Sequence, residues 1–296
     1  MGIYKTPLRY PGGKQKISQF IIEIIEKNDL TGCNYVEPYA GGAGVAIELL
    51  LRGYVSSIHL NDSCPFVYSF WHSILYEPEE FCRRISRASL NIDEWKKQRD
   101  IIRNPIGVNR IDLGFAMFYL NRCNRSGIVS GGVIGGLNQT GKWKIDARFP
   151  RNELIRRIEA IIDQKKFIKL KNWDAEKYVM NYLPKLASNT LVYCDPPYFN
   201  KAEKLYLNHY TPNDHKRIAM TIRNSISHPW IVSYDNNESI MHLYENYYKF
   251  VYQIQYNASK AYKGSEIFIF SDKLLIPNHS SIHYINESLL EKTGRS

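Results

Sequence analysis

The chain has 296 residues, enough to bury a full hydrophobic core, and its 44% hydrophobic and 23% charged residues are those of an ordinary globular protein. No apolar run approaches the roughly 18 residues a membrane span needs, and the first residues lack the apolar stretch of a secretory leader. Five scattered cysteines (33, 64, 82, 123 and 194) show no CxxC or Cys/His spacing, which argues against a disulfide framework or a metal site and predicts a cytoplasmic protein.

The net charge of +10 is unevenly spread. Between Arg83 and Lys171 there are 20 Lys and Arg against 8 Asp and Glu, leaving 19 against 21 elsewhere. A regional excess of this size points to a polyanion, with nucleic acid the leading partner.

In chain order, β-branched runs alternate with helical stretches, the pattern of a mostly parallel sheet flanked by helices. Strands are predicted at 35–37, 57–60, 167–170, 190–194, 230–234, 250–255 and 266–270. Helices are predicted at 15–27, 43–52, 65–76, 111–121, 152–163, 212–227 and 238–245, the 212 helix opening on Thr211-Pro212 with proline at its first position. About a hundred residues separate the second and third strands, far more than one crossover helix requires. The interval holds two or three helices and then a glycine-rich, acid-poor segment, 121–149, that reads as loops and a β-hairpin. An inserted lobe at 66–151 is therefore expected, with 1–65 and 152–296 forming the main domain.

Asp195-Pro196-Pro197-Tyr198 directly follows the apolar strand ending at Cys194. Ligands of an open α/β sheet sit beyond the carboxyl ends of its strands. Adjacent prolines fix the backbone and leave carbonyls without neighbouring amide donors. A carboxylate and a rigid carbonyl can together accept both hydrogens of an amino group, and a tyrosine ring offers a face for an extruded base. Held in that way, an aromatic amine has its lone pair aimed at an electrophile without any covalent enzyme intermediate.

The second signal is Glu37-Pro38-Tyr39-Ala40-Gly41-Gly42-Ala43-Gly44, a strand end, a glycine turn and a helix start. Such a turn lets backbone approach a ligand closely. Eighteen residues after Gly44, Asn61-Asp62 ends the next strand where a carboxylate reaches ribose hydroxyls. The pattern suits an adenosine-bearing cofactor, but the dinucleotide fingerprint is not met, because its third glycine position is Ile47. A third element, Tyr10-Pro11-Gly12-Gly13-Lys14, lies near the start.

Together these motifs resemble the Dam-type (alpha-group) DNA N6-adenine methyltransferases, whose order is cofactor site, recognition region, catalytic site. The resemblance extends over nearly the whole chain, including the 230–235 strand and the 265–270 segment. It implies a Rossmann-like class I methyltransferase sheet with an inserted helical and β-hairpin DNA-recognition lobe, S-adenosylmethionine as cofactor and double-stranded DNA as partner. It implies that Tyr10, Pro11, Gly12, Lys14, Glu37, Pro38, Tyr39, Gly41, Gly42, Gly44, Asp62 and Asp174 line the cofactor site, and that Asp195, Pro196, Pro197 and Tyr198 hold the target adenine. In the lobe, Arg122, Asn124, Arg125, Asn138, Gln139, Lys142, Lys144 and Arg148 are the expected DNA contacts. The family's Asn-Arg core is kept at Asn121-Arg122, but the glycine-rich continuation departs from its pattern, so a GATC target does not follow. The alternatives are methyl transfer to RNA adenine or cytosine N4, or a DNA-binding protein that keeps the fold without turnover. Further expectations are monomeric action and a separately encoded restriction endonuclease as a possible partner.

Overall fold

The computed structural model describes residues 5–9, 14–199, 210–256 and 262–277. Seven strands form one sheet: β1 Cys33–Glu37, β2 Val55–Asn61, β3 Ile168–Lys171, β4 Thr190–Cys194, β5 Trp230–Asp235, β6 Lys249–Tyr256 and β7 Tyr262–Phe270. Their order is 3-2-1-4-5-7-6. The first five pair in parallel, and β7 runs antiparallel between β5 and β6. All seven expected strands form. The central β4 and β5 are buried along their whole length, which is why they read as mainly apolar and aromatic runs without a regular alternation.

Among the described residues the helices are α1 Lys14–Lys27, α2 Gly44–Leu51, α3 Pro65–Tyr76, α4 Pro78–Arg87, α5 Ile92–Arg103, α6 Arg110–Cys123, α7 Arg151–Ile162, α8 Ala175–Asn181, α9 Pro212–Ser225 and α10 Glu238–Leu243. One face of the sheet is covered by α1 and α2, whose apolar residues join α3, α4, α6 and α7 in a continuous core. The other face is covered by α8, α9 and α10. Phe20 of α1 seats against Phe250, Phe268 and Phe270, with ring centroids 5.3–6.1 Å apart, and so ties the first helix to the antiparallel end of the sheet. Local caps agree with this layout: Thr211 and Asp214 close a reciprocal capping box at the start of α9, and Asn91 and Asn109 cap α5 and α6.

The long β2–β3 connection contains α3 to α7. Helices α3 and α6 cross closely at Gly114, where any Cβ would lie 2.6 Å from the Ser69 carbonyl oxygen. Phe70, Phe81 and Phe118 interlock around that crossing. The hairpin expected over 121–149 is reduced to a single antiparallel bridge, Asn124 with Val133. Gly127, Gly135 and Gly136 sit at positive φ, so this chain folds into successive turns where paired strands would need extended backbone. No helix of the described residues is long and apolar enough to cross a membrane. Strand order reverses between β1 and β4, which opens a crevice at the carboxyl ends of the parallel strands.

Candidate active site

The crevice receives the ends of β1, β2, β4 and β5, and each delivers a polar side chain. On the β1 side, Glu37 is buried and its Oε1 accepts the Ala46 amide at 3.2 Å. Ala43, the residue before α2, has no side chain able to cap it, so the strand-end carboxylate satisfies the helix N-terminus instead. The preceding turn places Gly41 and Ala43 in the left-handed region, at φ 46° and 45°. That turn is pinned from three directions. The Gly41 amide donates to Asp62 Oδ2 at 2.8 Å, the Trp71 indole donates to the Gly41 carbonyl at 2.8 Å, and the Ala40 amide donates to the Asn61 carbonyl at 2.8 Å.

Asp62 therefore joins the glycine turn to the end of β2, and its Oδ1 also accepts the Cys64 amide at 2.9 Å. Burial raises its carboxyl to about 6, against the opposing pull of those two amides. Asn61 is fully buried and holds the neighbouring loop, donating to the Pro38 and Trp173 carbonyls at 3.0 Å each and accepting the Trp173 amide at 2.9 Å. Asp174, the next residue, is exposed and caps α8 by accepting the Glu176 and Lys177 amides. Tyr39 meets Tyr210 hydroxyl to hydroxyl at 3.1 Å. Tyr10, Pro11, Gly12 and Gly13 lie outside the described residues, and Lys14 opens α1.

A half-buried carboxylate, a tightly turned glycine segment and a helix N-terminus at one strand-end crevice fit the nucleoside and amino-acid portions of S-adenosylmethionine.

On the β4 side, Ser233 donates to Asp195 Oδ1 at 2.8 Å, and Tyr193 lies 2.8 Å from the same Ser233 oxygen. Ser233 has one hydroxyl proton, and it goes to the carboxylate, so Tyr193 is the donor to Ser233. Pro196 is buried and Pro197 half-buried. Tyr198 is buried, with its hydroxyl donating to Glu266 of β7. The Phe199 amide donates to Asp235 Oδ1 at 2.7 Å. Sequence reading placed Ser233, Asp235 and Glu266 only in strands. The available signal was polar side chains at the ends of otherwise apolar runs.

The expected DNA contacts divide. Arg125, Asn138, Lys142, Lys144 and Arg148 are exposed. Asn124 is fully buried and wholly committed: Oδ1 accepts the Trp95 indole at 2.7 Å, and Nδ2 donates to the Ile128 and Val129 carbonyls at 2.9 Å. Gln139 is similarly spent on Ile134, Gly136 and Ile145 of its own loop. Arg122 is buried, donating through Nε to the Arg148 carbonyl at 2.6 Å, and burial beside Arg9 and Arg157 lowers its guanidinium from the usual arginine range. The expectation that Asn124, Gln139 and Arg122 face DNA is corrected on this geometry. A loop without a strand ladder leaves backbone groups unpaired, and these side chains pair them. Trp143 and Leu137 were not anticipated. They stand exposed on the same loop, with Lys142 5.9 Å from the Trp143 ring centroid.

The Asn121 side chain bonds both ways to Arg9, accepting its amide at 2.7 Å and donating to its carbonyl at 2.8 Å. Arg9 donates in turn to the Asn124 carbonyl at 2.8 Å. The segment leading to Tyr10 is thus fastened to the loop region.

A reversed seventh strand between the fifth and sixth, with acidic residues at the ends of the first two strands, defines a class I S-adenosylmethionine-dependent methyltransferase. The D12 class N6 adenine-specific DNA methyltransferase family matches residues 10–258, and the chain belongs to that family. The chain is 26% identical over 249 residues to the Retron Ec67 DNA adenine methylase of Escherichia coli, covering 82% of this chain and 81% of that protein. Among solved structures, a S-adenosylmethionine-dependent methyltransferase from Clostridium acetobutylicum overlays 91% of this chain and 71% of its own at 11% identity and a TM-score of 0.32. An rRNA methyltransferase from Streptomyces viridochromogenes overlays 85% and 83% at 9% identity and a TM-score of 0.33. The protein is an adenine-specific DNA methyltransferase that uses S-adenosylmethionine.

The loop hydrogen bonds separate structural from exposed polar residues. Asn124→Ala is expected to destabilise the protein by about 2–4 kcal/mol in urea unfolding, since it strands an indole donor and two carbonyls. Arg125→Ala is expected to change stability by no more than about 0.5 kcal/mol. Equal stabilities for the two variants would contradict the assignment.

Proposed function

We propose that the enzyme methylates adenine N6 at a specific short sequence in double-stranded DNA after extruding the target base from the helix. The observation that carries this reading is the Tyr193–Ser233–Asp195 chain, which fixes the orientation of a carboxylate at the mouth of the crevice. S-adenosylmethionine, when bound, supplies the electrophilic methyl group. Asp195 and the Pro196 carbonyl accept the two hydrogens of the adenine amino group, drawing its nitrogen toward a tetrahedral form with the lone pair directed outward. Tyr198 supplies an aromatic surface for the base, and Pro197 keeps the loop rigid. The prolines also leave the carbonyl without a competing local donor.

Cofactor binding in this reading falls to Glu37, Pro38, Tyr39, Gly41, Gly42, Gly44, Asp62 and Asp174, with Tyr10, Pro11, Gly12 and Lys14 contributed by the N-terminal segment. Asp62 accepts the ribose hydroxyls, and the Gly41 turn lets backbone close on the ligand. Residues 66–151 serve as the target-recognition lobe on a main domain of 1–65 and 152–296. There Arg125, Asn138, Lys142, Lys144 and Arg148 meet phosphates and base edges, and Trp143 and Leu137 are apolar groups suited to a distorted base step. Phosphate contacts offset the cost of unstacking, about a few kcal/mol. The enzyme works as a monomer in the cytoplasm, and any restriction endonuclease that shares its target is a separate chain.

Two measurements test this reading. Single-molecule sequencing of DNA from a methylation-free host expressing the protein should show N6-methyladenine in one short motif, absent with Asp195→Ala. Methylated cytosine, or no modification above the control, would overturn it. The second follows from the raised carboxyl of Asp62. Only the ionised form accepts two hydroxyls, so cofactor affinity should be flat above about pH 7 and weaken as pH falls through about 6, approaching tenfold per unit. Titration calorimetry should find Asp62→Asn weaker and free of this slope. A wild-type affinity unchanged between pH 7 and 5 would remove Asp62 from the ribose site.

A further inference from the structure

Beyond the motif at the end of β4, the antiparallel part of the sheet carries two acidic residues where apolar side chains would pack better. Glu266 is 2% exposed, and the four residues that follow it on β7, Ile267 to Phe270, are all buried apolar groups. Burying a carboxylate costs several kcal/mol unless its oxygens are well bonded. Glu266 also stands directly opposite Asp235 on β5, and two carboxylates facing across a strand pair repel. Stability alone would not favour this arrangement.

What the two carboxylates hold is specific. Asp235 accepts the Phe199 amide, and Glu266 Oε1 accepts the Tyr198 hydroxyl, so consecutive residues of the catalytic loop are bound to opposed strand positions. Glu266 Oε2 accepts the hydroxyl of Tyr252 at 2.5 Å, and Tyr252 is its partner on β6. Tyr252 in turn stacks on Phe268, with centroids 4.5 Å apart and planes 10° from parallel. The carboxylate is therefore fixed from the far side before it reaches Tyr198. A tyrosine ring has two rotatable side-chain bonds, and anchoring its hydroxyl, which lies on the axis of the second, sets the direction and depth of the ring.

We propose that Glu266 is a positioning residue for methyl transfer, which sets the ring of Tyr198 against the extruded adenine by accepting its hydroxyl from the neighbouring antiparallel strand. The proposal rests on the reading of Tyr198 as the surface for the flipped base. It explains why a buried acid is kept on β7 and why the loop residue is tyrosine, since phenylalanine offers the same face without the anchor. Asp235 and Ser233 secure the rest of the loop in the same manner, one through the Phe199 amide and the other through Asp195.

The test is a double-mutant cycle of Tyr198→Phe and Glu266→Leu on the purified enzyme, with Glu266→Gln as the conservative variant. The substrate is a duplex bearing the sequenced target motif, with adenine at the target for rates and 2-aminopurine there for base extrusion. Tyr198→Phe should lower single-turnover methyl transfer by about tenfold, the rate equivalent of losing one hydrogen bond to a charged group. It should also diminish the 2-aminopurine signal, while KM for S-adenosylmethionine stays close to wild type and the melting temperature falls by about a few degrees, the cost of one lost bond to a buried carboxylate. Glu266→Leu should lose at least as much, Glu266→Gln should recover most of the rate, and the double variant should be no slower than Glu266→Leu alone.

Multiplying losses, or a Tyr198→Phe enzyme with wild-type rate and fluorescence, would overturn the proposal. Should Glu266→Leu fail to fold, Tyr198→Phe, which removes one hydroxyl, decides the matter by itself. If Tyr198→Ala and Asp195→Ala both methylate adenine as well as wild type, the underlying reading falls too. If those variants are inactive while the cycle is additive, only the role of Glu266 falls.

Discussion

The hydrogen bond from Ser233 to Asp195 is the contact on which the proposed catalytic site depends. An aromatic amine is a weak nucleophile, and a carboxylate improves it only by standing in one orientation. A carboxylate free to rotate would lose that advantage to conformational entropy. Here the orientation is inherited from the sheet: Tyr193 of β4 lies beside Ser233 of β5, and Ser233 holds the residue that follows β4. The constraint thus passes between two central strands that are buried along their full length, where close packing resists deformation.

The same economy appears on the other side of the crevice. Asp62 uses one oxygen on the glycine turn and the other on the residue before α3, so the ends of β1 and β2 are fastened to each other. Trp71 of α3 reaches back to the turn as well. Helix α3 also packs against α6, and Asn121 near the end of α6 grips Arg9, beside the N-terminal glycine segment. A continuous path of packed and hydrogen-bonded groups therefore joins the glycine turn to the loop region that carries the exposed basic residues.

Much of this was legible in the sequence, for identifiable reasons. Buried parallel strands announce themselves as apolar β-branched runs, and the glycine turn and DPPY loop follow those runs where chemistry in an α/β sheet belongs. The helices α4, α5 and α8 went unnamed. Only Trp95 and Gln98 of α5 are buried, too few to print a helical period, and α8 has seven residues. The loop at 121–149 was misread in detail because residue type does not distinguish an asparagine that reads a base from one that completes a turn. Asn124 and Gln139 are of the second kind, spent on carbonyls and amides left by a glycine-rich chain without a ladder. Ser233, Asp235 and Glu266 were invisible for the opposite reason: they matter through what lies across the strand, and strand neighbours are remote in sequence.

The measurement that bears most directly on Asp195 as the oriented acceptor is the single-turnover rate of methyl transfer by Asp195→Asn, with S-adenosylmethionine and duplex affinities determined for the same protein. Asparagine keeps the shape and can still bond Ser233, but it replaces one acceptor with a donor that opposes the adenine amino group. The expected result is near wild-type binding of both substrates with a rate lowered by about a hundredfold or more, the scale of losing one preorganised electrostatic contact. A rate close to wild type at unchanged affinities would contradict the role assigned to Asp195.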